Sequence, residues 1–219
     1  VMIFSINFKF VDISMIWITF SIRATNVTGV VRAPYSVIIA PDLNQCKEWI
    51  QAANTEFHGA GITGGRYPFE HEEDSFQLLI PDEFVSGIIN RGGEGVNEIK
   101  RLCSVAVSFQ KRDQMQALGI SERKCQIKGS IASITQAIYL IMFCMLKMSG
   151  LQQISFCLLI EHKNAGIVIG KGGATFKELR ERTGVRLEIE PQSHPVHFLL
   201  NHPTDSTFNF VHHQWSPLI

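Results

Sequence analysis

Residues 165–189 read A-G-I-V-I-G-K-G-G-A-T-F-K-E-L-R-E-R-T-G-V-R-L-E-I, and this stretch decides the fold. At its centre, residues 170–173 place three glycines and one lysine between two apolar patterns of helical period. Glycine lacks a Cβ, so the chain can take a positive φ there and another backbone can approach closely. A helix restarts at once, with Phe176, Leu179 and Thr183 on one face. The loop therefore presents free N–H groups at a helix N-terminus, which favours an anion such as phosphate.

Two common phosphate-binding loops do not fit this spacing. A nucleotide-hydrolysing P-loop requires G-x-x-x-x-G-K-[ST], but Gly170 follows Gly166 too soon, and Gly172 stands where a hydroxyl would bind magnesium. A dinucleotide-binding fingerprint requires a third glycine where Thr175 lies. The pattern that remains is helix, G-x-x-G loop, helix and strand.

A second copy of the pattern lies upstream. Residues 86–109 read S-G-I-I-N-R-G-G-E-G-V-N-E-I-K-R-L-C-S-V-A-V-S-F, and they align without a gap on residues 166–189. The loop at 90–93 then falls on the loop at 170–173. Two loops in register indicate a tandem repeat.

Both copies resemble the K homology (KH) domain, and the tandem is similar to the poly(C)-binding and heterogeneous nuclear ribonucleoprotein K group. In KH domains the loop clamps the backbone of about four single-stranded nucleotides. The resemblance implies an α+β fold with two type I KH domains of order β-α-α-β-β-α. Each domain would pack a three-stranded antiparallel sheet on three helices.

The expected organisation has four regions: an apolar N-terminal segment at 1–35 with no assigned function, a short helix with an acidic linker at 36–75, a first KH domain at 76–148, and a second at 153–219. Within the second domain only residues 153–190 follow the family pattern closely. Residues 196–200 fit its third strand, but Pro203 and Pro217 leave no amphipathic final helix. We therefore expect the second copy to be incomplete at its C-terminus.

Two apolar segments raise the question of a membrane. Residues 4–10 alternate as in a strand, and Lys9 and Asp12 divide the N-terminal apolar run into pieces too short to span a bilayer. Residues 131–148 are apolar enough to span one, but they lie where the fold expects its covering helix. We predict a core helix there and no membrane partner.

The resemblance also implies a binding groove in each domain, between the first two helices with their loop and the second strand with the variable loop. In the second domain the implied RNA-binding residues are Ala165, Gly166, Ile167 and Ile169 on the helix side, Gly170, Lys171, Gly172 and Gly173 at the backbone, Arg180 at a base edge, and Leu187 and Ile189 on the strand side. In the first domain they are Asn90, Arg91, Gly92, Gly93 and Lys100. The forked donors of an arginine suit cytosine, so the resemblance implies a pyrimidine preference.

The first domain departs from the family pattern at two of these positions. Asn90 replaces the leading glycine, and asparagine tolerates the left-handed region better than other residues, so we expect the turn to survive. Lys100 lacks the planar fork of an arginine. We predict that the first domain binds RNA more weakly than the second, or holds protein partners instead. The predicted helix at 42–57 is another candidate surface for a protein partner.

Composition narrows the functional classes. The chain carries 20 Lys+Arg and 20 Asp+Glu, so a shaped groove has to supply most of the affinity, and the salt dependence should be shallow. The five cysteines lack a C-x-x-C pair, which indicates buried thiols of an intracellular protein, in the nucleus or the cytoplasm. The histidines after residue 193 are a weak candidate metal site, because no cysteine or carboxylate cluster joins them. We expect no metal and no cofactor.

The leading hypothesis is a non-enzymatic binder of single-stranded RNA, with single-stranded DNA as a second ligand, acting in post-transcriptional regulation. No nucleophile, base and orienting residue form a recognisable catalytic arrangement in the sequence. The alternative is a protein-interaction scaffold whose KH folds have lost nucleic-acid binding. The neutral net charge and Asn90 favour that alternative.

Overall fold

The structure is a computed structural model that describes residues 2–9, 28–32, 39–59, 74–113, 122–150, 153–160, 166, 169–183 and 186–190. For residues 2–9, 28–32, 153–160 and 186–190, and for 179, 182 and 183, it describes the backbone alone. The predicted acidic linker runs from Gly59 to Asp74, and its residues 60–73 lie outside the described residues. So do the histidine-rich segment and the predicted third strand of the second copy, which both follow residue 190.

The described elements follow one another in two similar series. They are β1 (Met2–Lys9), β2 (Thr28–Arg32), α1 (Leu43–Gly59), β3 (Asp74–Pro81), α2 (Asp82–Ile89), α3 (Glu94–Cys103), β4 (Ala106–Phe109), β5 (Glu122–Gly129), α4 (Ile131–Ser149), β6 (Gln153–Ile160), α5 (Ala174–Thr183) and β7 (Arg186–Glu190). Tight turns at Arg91–Gly93 and Lys171–Gly173 precede α3 and α5.

From β3 to α4 the chain has the order β-α-α-β-β-α that the resemblance implies. The strand β5 lies between β3 and β4 and runs antiparallel to both, with Ile127 opposite Phe76 and Val107. The predicted α+β fold, with a three-stranded antiparallel sheet in this half, is confirmed. The variable loop ends before Glu122, where β5 begins.

The core lies between this sheet and its helices. Alternate side chains of β3 and β5 point to the same face, and Phe76, Leu78, Ile80, Cys125 and Ile127 are all buried there. Each such side chain contributes about 1.5–3 kcal/mol by leaving water. The helices α2, α3 and α4 cover this face.

The helix α4 is buried along nearly its whole length, which explains why its sequence is apolar on every side. On one side α1 packs against it, with the ring of Phe57 lying 5.7 Å from that of Tyr139. Ile169 and Phe176, from the second series of elements, pack against the same core cluster. Among the described residues α4 is the helix long and apolar enough to cross a bilayer, but 78% of its apolar window is buried within the fold. Its structure is that of a core helix.

The strands of both series form one sheet of order β4-β5-β3-β2-β6-β1-β7. The sequence predicted separate three-stranded sheets and assigned no role to residues 1–35. In the structure β2 runs parallel to β3 and antiparallel to β6, and so joins the two series. Open strand edges expose unpaired N–H and C=O groups, and β2 satisfies one edge of β3 and one edge of β6.

The helix starts follow their capping residues. The Asp42 side chain accepts a hydrogen bond from the Gln45 N–H at 2.8 Å and so caps the start of α1. Ser130 Oγ accepts one from the Ser133 N–H at 3.2 Å at the start of α4. The helix α4 ends at Gly150, which has φ 64°.

The four described cysteine side chains, those of Cys46, Cys103, Cys125 and Cys144, are free and buried. Burial raises the pKa of Cys103 and of Cys125 from 9.0 to about 12.

We expect both thiols to stay protonated at pH 8 and to react with a maleimide about 100-fold more slowly in the folded chain than in urea. Fast labelling of either thiol in the folded chain would contradict this burial. Above pH 9 the unfolded chain loses these two protons and the folded chain keeps them, so the free energy of unfolding should fall as pH rises from 9 toward 12.

Candidate nucleic-acid interface

The downstream glycine loop is an exposed turn at the start of α5. Gly170 has φ 73° and ψ 170°, Gly172 has φ 61° and ψ 22°, and Gly173 has φ 81°. The Gly170 N–H donates to the Gly166 carbonyl at 2.9 Å, and the Gly173 N–H donates to the Gly170 carbonyl at 3.1 Å. Lys171 and Gly172 are exposed. The backbone therefore leaves one helical turn, reverses at solvent and starts a new helix.

The upstream loop has the same backbone conformation. Asn90 has φ 57° and ψ −176°, Gly92 has φ 65° and ψ 10°, and Gly93 has φ 79° and ψ 10°. Its two backbone hydrogen bonds match those of the downstream loop, since the Asn90 N–H donates to Ser86 at 2.9 Å and the Gly93 N–H donates to Asn90 at 3.1 Å. Arg91 and Gly92 are exposed, as their counterparts are.

Asn90 reaches this conformation in a way that the sequence did not indicate. Its ψ near 180° lies outside the left-handed helical region to which we attributed its tolerance. Its side-chain oxygen accepts from the Arg91 N–H at 2.6 Å, and its amide nitrogen donates to the carbonyls of Pro41 and Asp42, each at 3.3 Å. The chain leading into α1 thus holds the upstream loop.

The Asn90 side chain has room because the upstream loop also differs from the downstream loop at a second position, five residues later. In the downstream loop a Cβ on Gly170 would meet the hydroxyl of Thr175, and would lie 2.7 Å from its backbone nitrogen and 2.8 Å from its Cβ. In the upstream loop Gly95 occupies the position that aligns with Thr175. Both loops therefore hold one glycine and one larger residue at these two positions, in opposite order. The alignment contained this signal, but sequence reasoning considered Asn90 alone.

Replacing Asn90 by alanine should cost about 2 kcal/mol of unfolding free energy, because the variant keeps a Cβ at positive φ and loses three hydrogen bonds. Asn90→Gly should cost about 1 kcal/mol, since glycine takes this φ without strain. Urea unfolding of the two variants measures the difference. If Asn90→Ala and Asn90→Gly lower the unfolding free energy equally, backbone strain at φ 57° does not contribute to the cost of the alanine variant.

The charges differ between the two loops. Where the downstream loop continues with Ala174, the upstream loop continues with Glu94, whose carboxylate lies 2.7 Å from the Lys47 ammonium on α1. This hydrogen bond to Glu94 raises the pKa of Lys47. Both side chains are about half exposed, so the pair adds little stability. A carboxylate next to the loop opposes a phosphate, and Lys47 offsets only part of that repulsion.

The other predicted groove residues lie at several places. Gly166 is exposed, and Ile169 is half-buried against the core cluster. Arg180 is exposed on α5, and Lys100 is half-buried at the aligned position on α3. Ala165 and Ile167 lie outside the described residues.

The strand side of the downstream groove is described by its backbone. Leu187 and Ile189 lie on β7, and both are on the same face of that strand. They align with Val107, which is buried, and with Phe109, which is half-buried against the core. In the structure both loops, at 90–93 and at 170–173, therefore lie at the start of a helix that is followed by a strand of the sheet.

The family model of the KH domain matches residues 75–143 and 155–208, which together make up more than half of the chain. The chain belongs to the KH domain family. It contains two KH matches in tandem, called KH module 1 and KH module 2 below. Groups of three or more His, Cys, Asp or Glu able to hold a metal ion are absent from the described part of both modules.

Several curated proteins are similar to this chain. Far upstream element-binding protein 1 of Homo sapiens is 29% identical over 142 residues, which cover 57% of this chain and 21% of that protein. Far upstream element-binding protein 2 of Homo sapiens is 31% identical over 126 residues, covering 51% and 17%. RNA-binding protein Pasilla of Drosophila melanogaster is 27% identical over 139 residues, covering 54% and 17%. The chain thus spans about a fifth of the length of these KH relatives, and its likeness to the poly(C)-binding group stays a prediction.

Proposed function

We propose that this chain binds single-stranded RNA through its two KH grooves and acts in the regulation of RNA after transcription. One observation carries the proposal: two exposed loops share one backbone conformation at a helix start, and each presents a cation, Arg91 or Lys171, to solvent. The positive end of a helix dipole attracts phosphate, and an exposed cation beside it adds to that attraction. The similarity to RNA-binding protein Pasilla supports the choice of RNA.

The proposed mechanism divides the ligand between the loop and the groove. The loop at 170–173 receives the sugar-phosphate backbone, while bases enter the slot between the helix side at 165–169 and the strand side at Leu187 and Ile189. Stacking on an aromatic residue adds about 1–3 kcal/mol per base in other single-strand binders. The candidate stacking residue in this chain is Phe109, in the groove of module 1. Each module alone should then bind in the micromolar range, with the pair giving higher apparent affinity.

The charges favour KH module 2 as the stronger binder. Its loop is followed by Ala174, whereas Glu94 follows the loop of module 1 and repels phosphate. Module 2 also carries Arg180, whose fork suits the carbonyl and ring nitrogen of cytosine, where module 1 carries Lys100. We therefore propose a pyrimidine preference that is set by module 2. Single-stranded DNA offers the same phosphates and bases and is the second candidate ligand.

A protein-interaction scaffold is the second candidate function. The contacts of Asn90 with the chain before α1 favour it, since they tie the module 1 loop to another part of the protein. Module 1 or the helix at 42–57 would then hold a protein partner. In either case we propose a binding role without catalysis, for a protein of the nucleus or the cytoplasm.

Fluorescence anisotropy with the full chain tests the proposal. Labelled oligocytidine, oligouridine and oligoadenosine RNA, the matching single-stranded DNA and a duplex of the same length are compared at fixed salt. We expect micromolar or tighter binding to the pyrimidine RNAs, weaker binding to oligoadenosine and little to the duplex. Binding to none of these ligands would overturn the RNA proposal and favour the scaffold.

A further inference from the structure

KH module 2 takes its third strand from the start of the chain. In module 1, β5 lies between β3 and β4, whereas in module 2 the corresponding place between β6 and β7 is held by β1, residues 2–9. Both β5 and β1 run antiparallel to the strands on either side. The strand β5 follows β4 in the sequence, but β1 precedes both of its neighbours.

The strand β1 pairs with β6 and β7 in the same register in which β5 pairs with β3 and β4. In module 1, Ile127 lies opposite Phe76 and Val107. In module 2, Ile6 lies opposite the two residues that align with them, Phe156 and Leu187. Ile127 is fully buried, so Ile6 occupies the register position of a core residue.

The same correspondence holds at the next position on this face. Phe4 lies opposite Leu158 and Ile189, which align with the two partners of Cys125. Cys125 is fully buried as well. Between them Ser5 falls on the other face of the sheet. The alternating sequence of residues 2–9 therefore matches the two faces that β6 and β7 present.

The edge strand β7 depends on β1 for its place in the sheet. In the described sheet β7 has β1 as its neighbour, and it pairs with it from Arg186 to Glu190. Without an occupant between β6 and β7, these ladder hydrogen bonds are lost. Leu187 and Ile189, the strand side of the proposed groove, lie on this strand.

We infer that the gap between β6 and β7 is a strand-acceptor site for an extended peptide segment with apolar residues at alternate positions, and that residues 2–9 occupy it. A filled site is required for β7 to join the sheet. Loss of β7 from the sheet would also displace Leu187 and Ile189, the strand side of the RNA groove, and this consequence rests on the proposed function.

The chain contains a rival occupant. Residues 196–200, V-H-F-L-L, also alternate, and they fall within the family match at 155–208. Their place in the sequence, after β7, is the place that β5 has after β4 in module 1. The two segments would compete for the same backbone hydrogen bonds, so single substitutions distinguish them.

Hydrogen–deuterium exchange of the full chain tests the inference. Ile6→Asp places a charge at the apolar position of β1 and should speed exchange of the 186–190 amides by about tenfold or more, while the amides of β5 stay protected. Asn7→Asp, one residue along and on the opposite face, is the matched control and should leave exchange unchanged. Phe198→Asp should also leave it unchanged. Loss of protection with Phe198→Asp, or none with Ile6→Asp, would overturn the assignment.

Rescue separates site occupancy from general damage to the fold. Ile6→Val should retain protection at 186–190. A synthetic peptide of residues 2–9, added to the Ile6→Asp chain, should restore protection, whereas the same peptide with aspartate at position 6 should not. Failure of the unmodified peptide to restore it would also overturn the inference. Hydrogen exchange is measured without RNA, so the exchange result can be interpreted even if the chain does not bind RNA. Restored protection at 186–190 in a chain that binds no RNA would count against the proposed function alone.

Discussion

Replacing Lys171 and Gly172 by aspartate together should lower the affinity of KH module 2 for single-stranded RNA by about 100-fold, because like charges in contact cost several kcal/mol. At this loop the substitutions remove a cation and add two carboxylates where the phosphates are proposed to lie. The fold should survive, since Lys171 is exposed and a Cβ on Gly172 has open space around it. Gly172 has φ 61°, a value that aspartate tolerates better than most residues.

The chain offers a matched control for the charge change. Lys177 is also exposed on α5, outside the loop, and there it pairs with Glu181 at 3.7 Å. Lys171→Asp and Lys177→Asp alter the net charge equally, so an effect of the loop itself appears as a larger loss for Lys171→Asp. Anisotropy titrations in a chain whose module 1 loop carries Arg91→Asp and Gly92→Asp measure module 2 alone. If Lys171→Asp and Lys177→Asp lower the RNA affinity equally, the loop contributes only through net charge. Unchanged RNA binding in the variant with aspartate at both 171 and 172 would favour the protein-interaction scaffold.

The exchanged glycine positions predict a strong coupling in module 2. Gly170→Asn should destabilise the module by about 3 kcal/mol, because its Cβ would overlap the hydroxyl of Thr175 and crowd the Thr175 backbone. Adding Thr175→Gly recreates the arrangement of module 1 and should recover about 2 kcal/mol. Full recovery is not expected, since two of the hydrogen bonds that hold Asn90 are made to Pro41 and Asp42, which lie before α1 and outside the repeated pattern.

A double-mutant cycle by urea unfolding measures this coupling, with amide exchange of α5 reporting on module 2 specifically. Gly172→Asn is a control for an asparagine at positive φ, because no atoms lie within 4 Å of its new Cβ. Its ψ of 22° differs from the 170° of Gly170, so the recovery by Thr175→Gly is what identifies the clash. The control should cost about 1 kcal/mol or less. If the control costs as much as Gly170→Asn, or if Thr175→Gly recovers nothing, the clash with Thr175 is not the cause.

Much of the fold could be predicted from the sequence because its determinants are local. The repeat of the loop eighty residues apart placed the helices on both sides of the upstream loop and the helix after the downstream loop. Asp42 and Ser130, whose side chains cap α1 and α4, are residue types that mark helix starts in a sequence. Each of these signals lies within a few residues of the feature it specifies.

The contacts between distant parts of the chain could not be predicted in this way. Residues 2–9 alternate like many strands, and alternation specifies a face but not which strands will be neighbours. The contacts of Asn90 with Pro41 and Asp42 likewise join segments far apart in the sequence. Sequence reasoning therefore found the loops of the candidate site and missed the residues that support the upstream one.

The bridging strand β2 has a consequence for the RNA itself. Because β2 is hydrogen-bonded to both β3 and β6, the two KH modules share one sheet instead of being joined only by the short connection after α4. If both modules bind one transcript as proposed, its two contact sequences must be separated by a spacer long enough to reach from one groove to the other. A spacer shorter than this span should abolish simultaneous binding even when both motifs are intact, whereas lengthening it should weaken the binding only gradually.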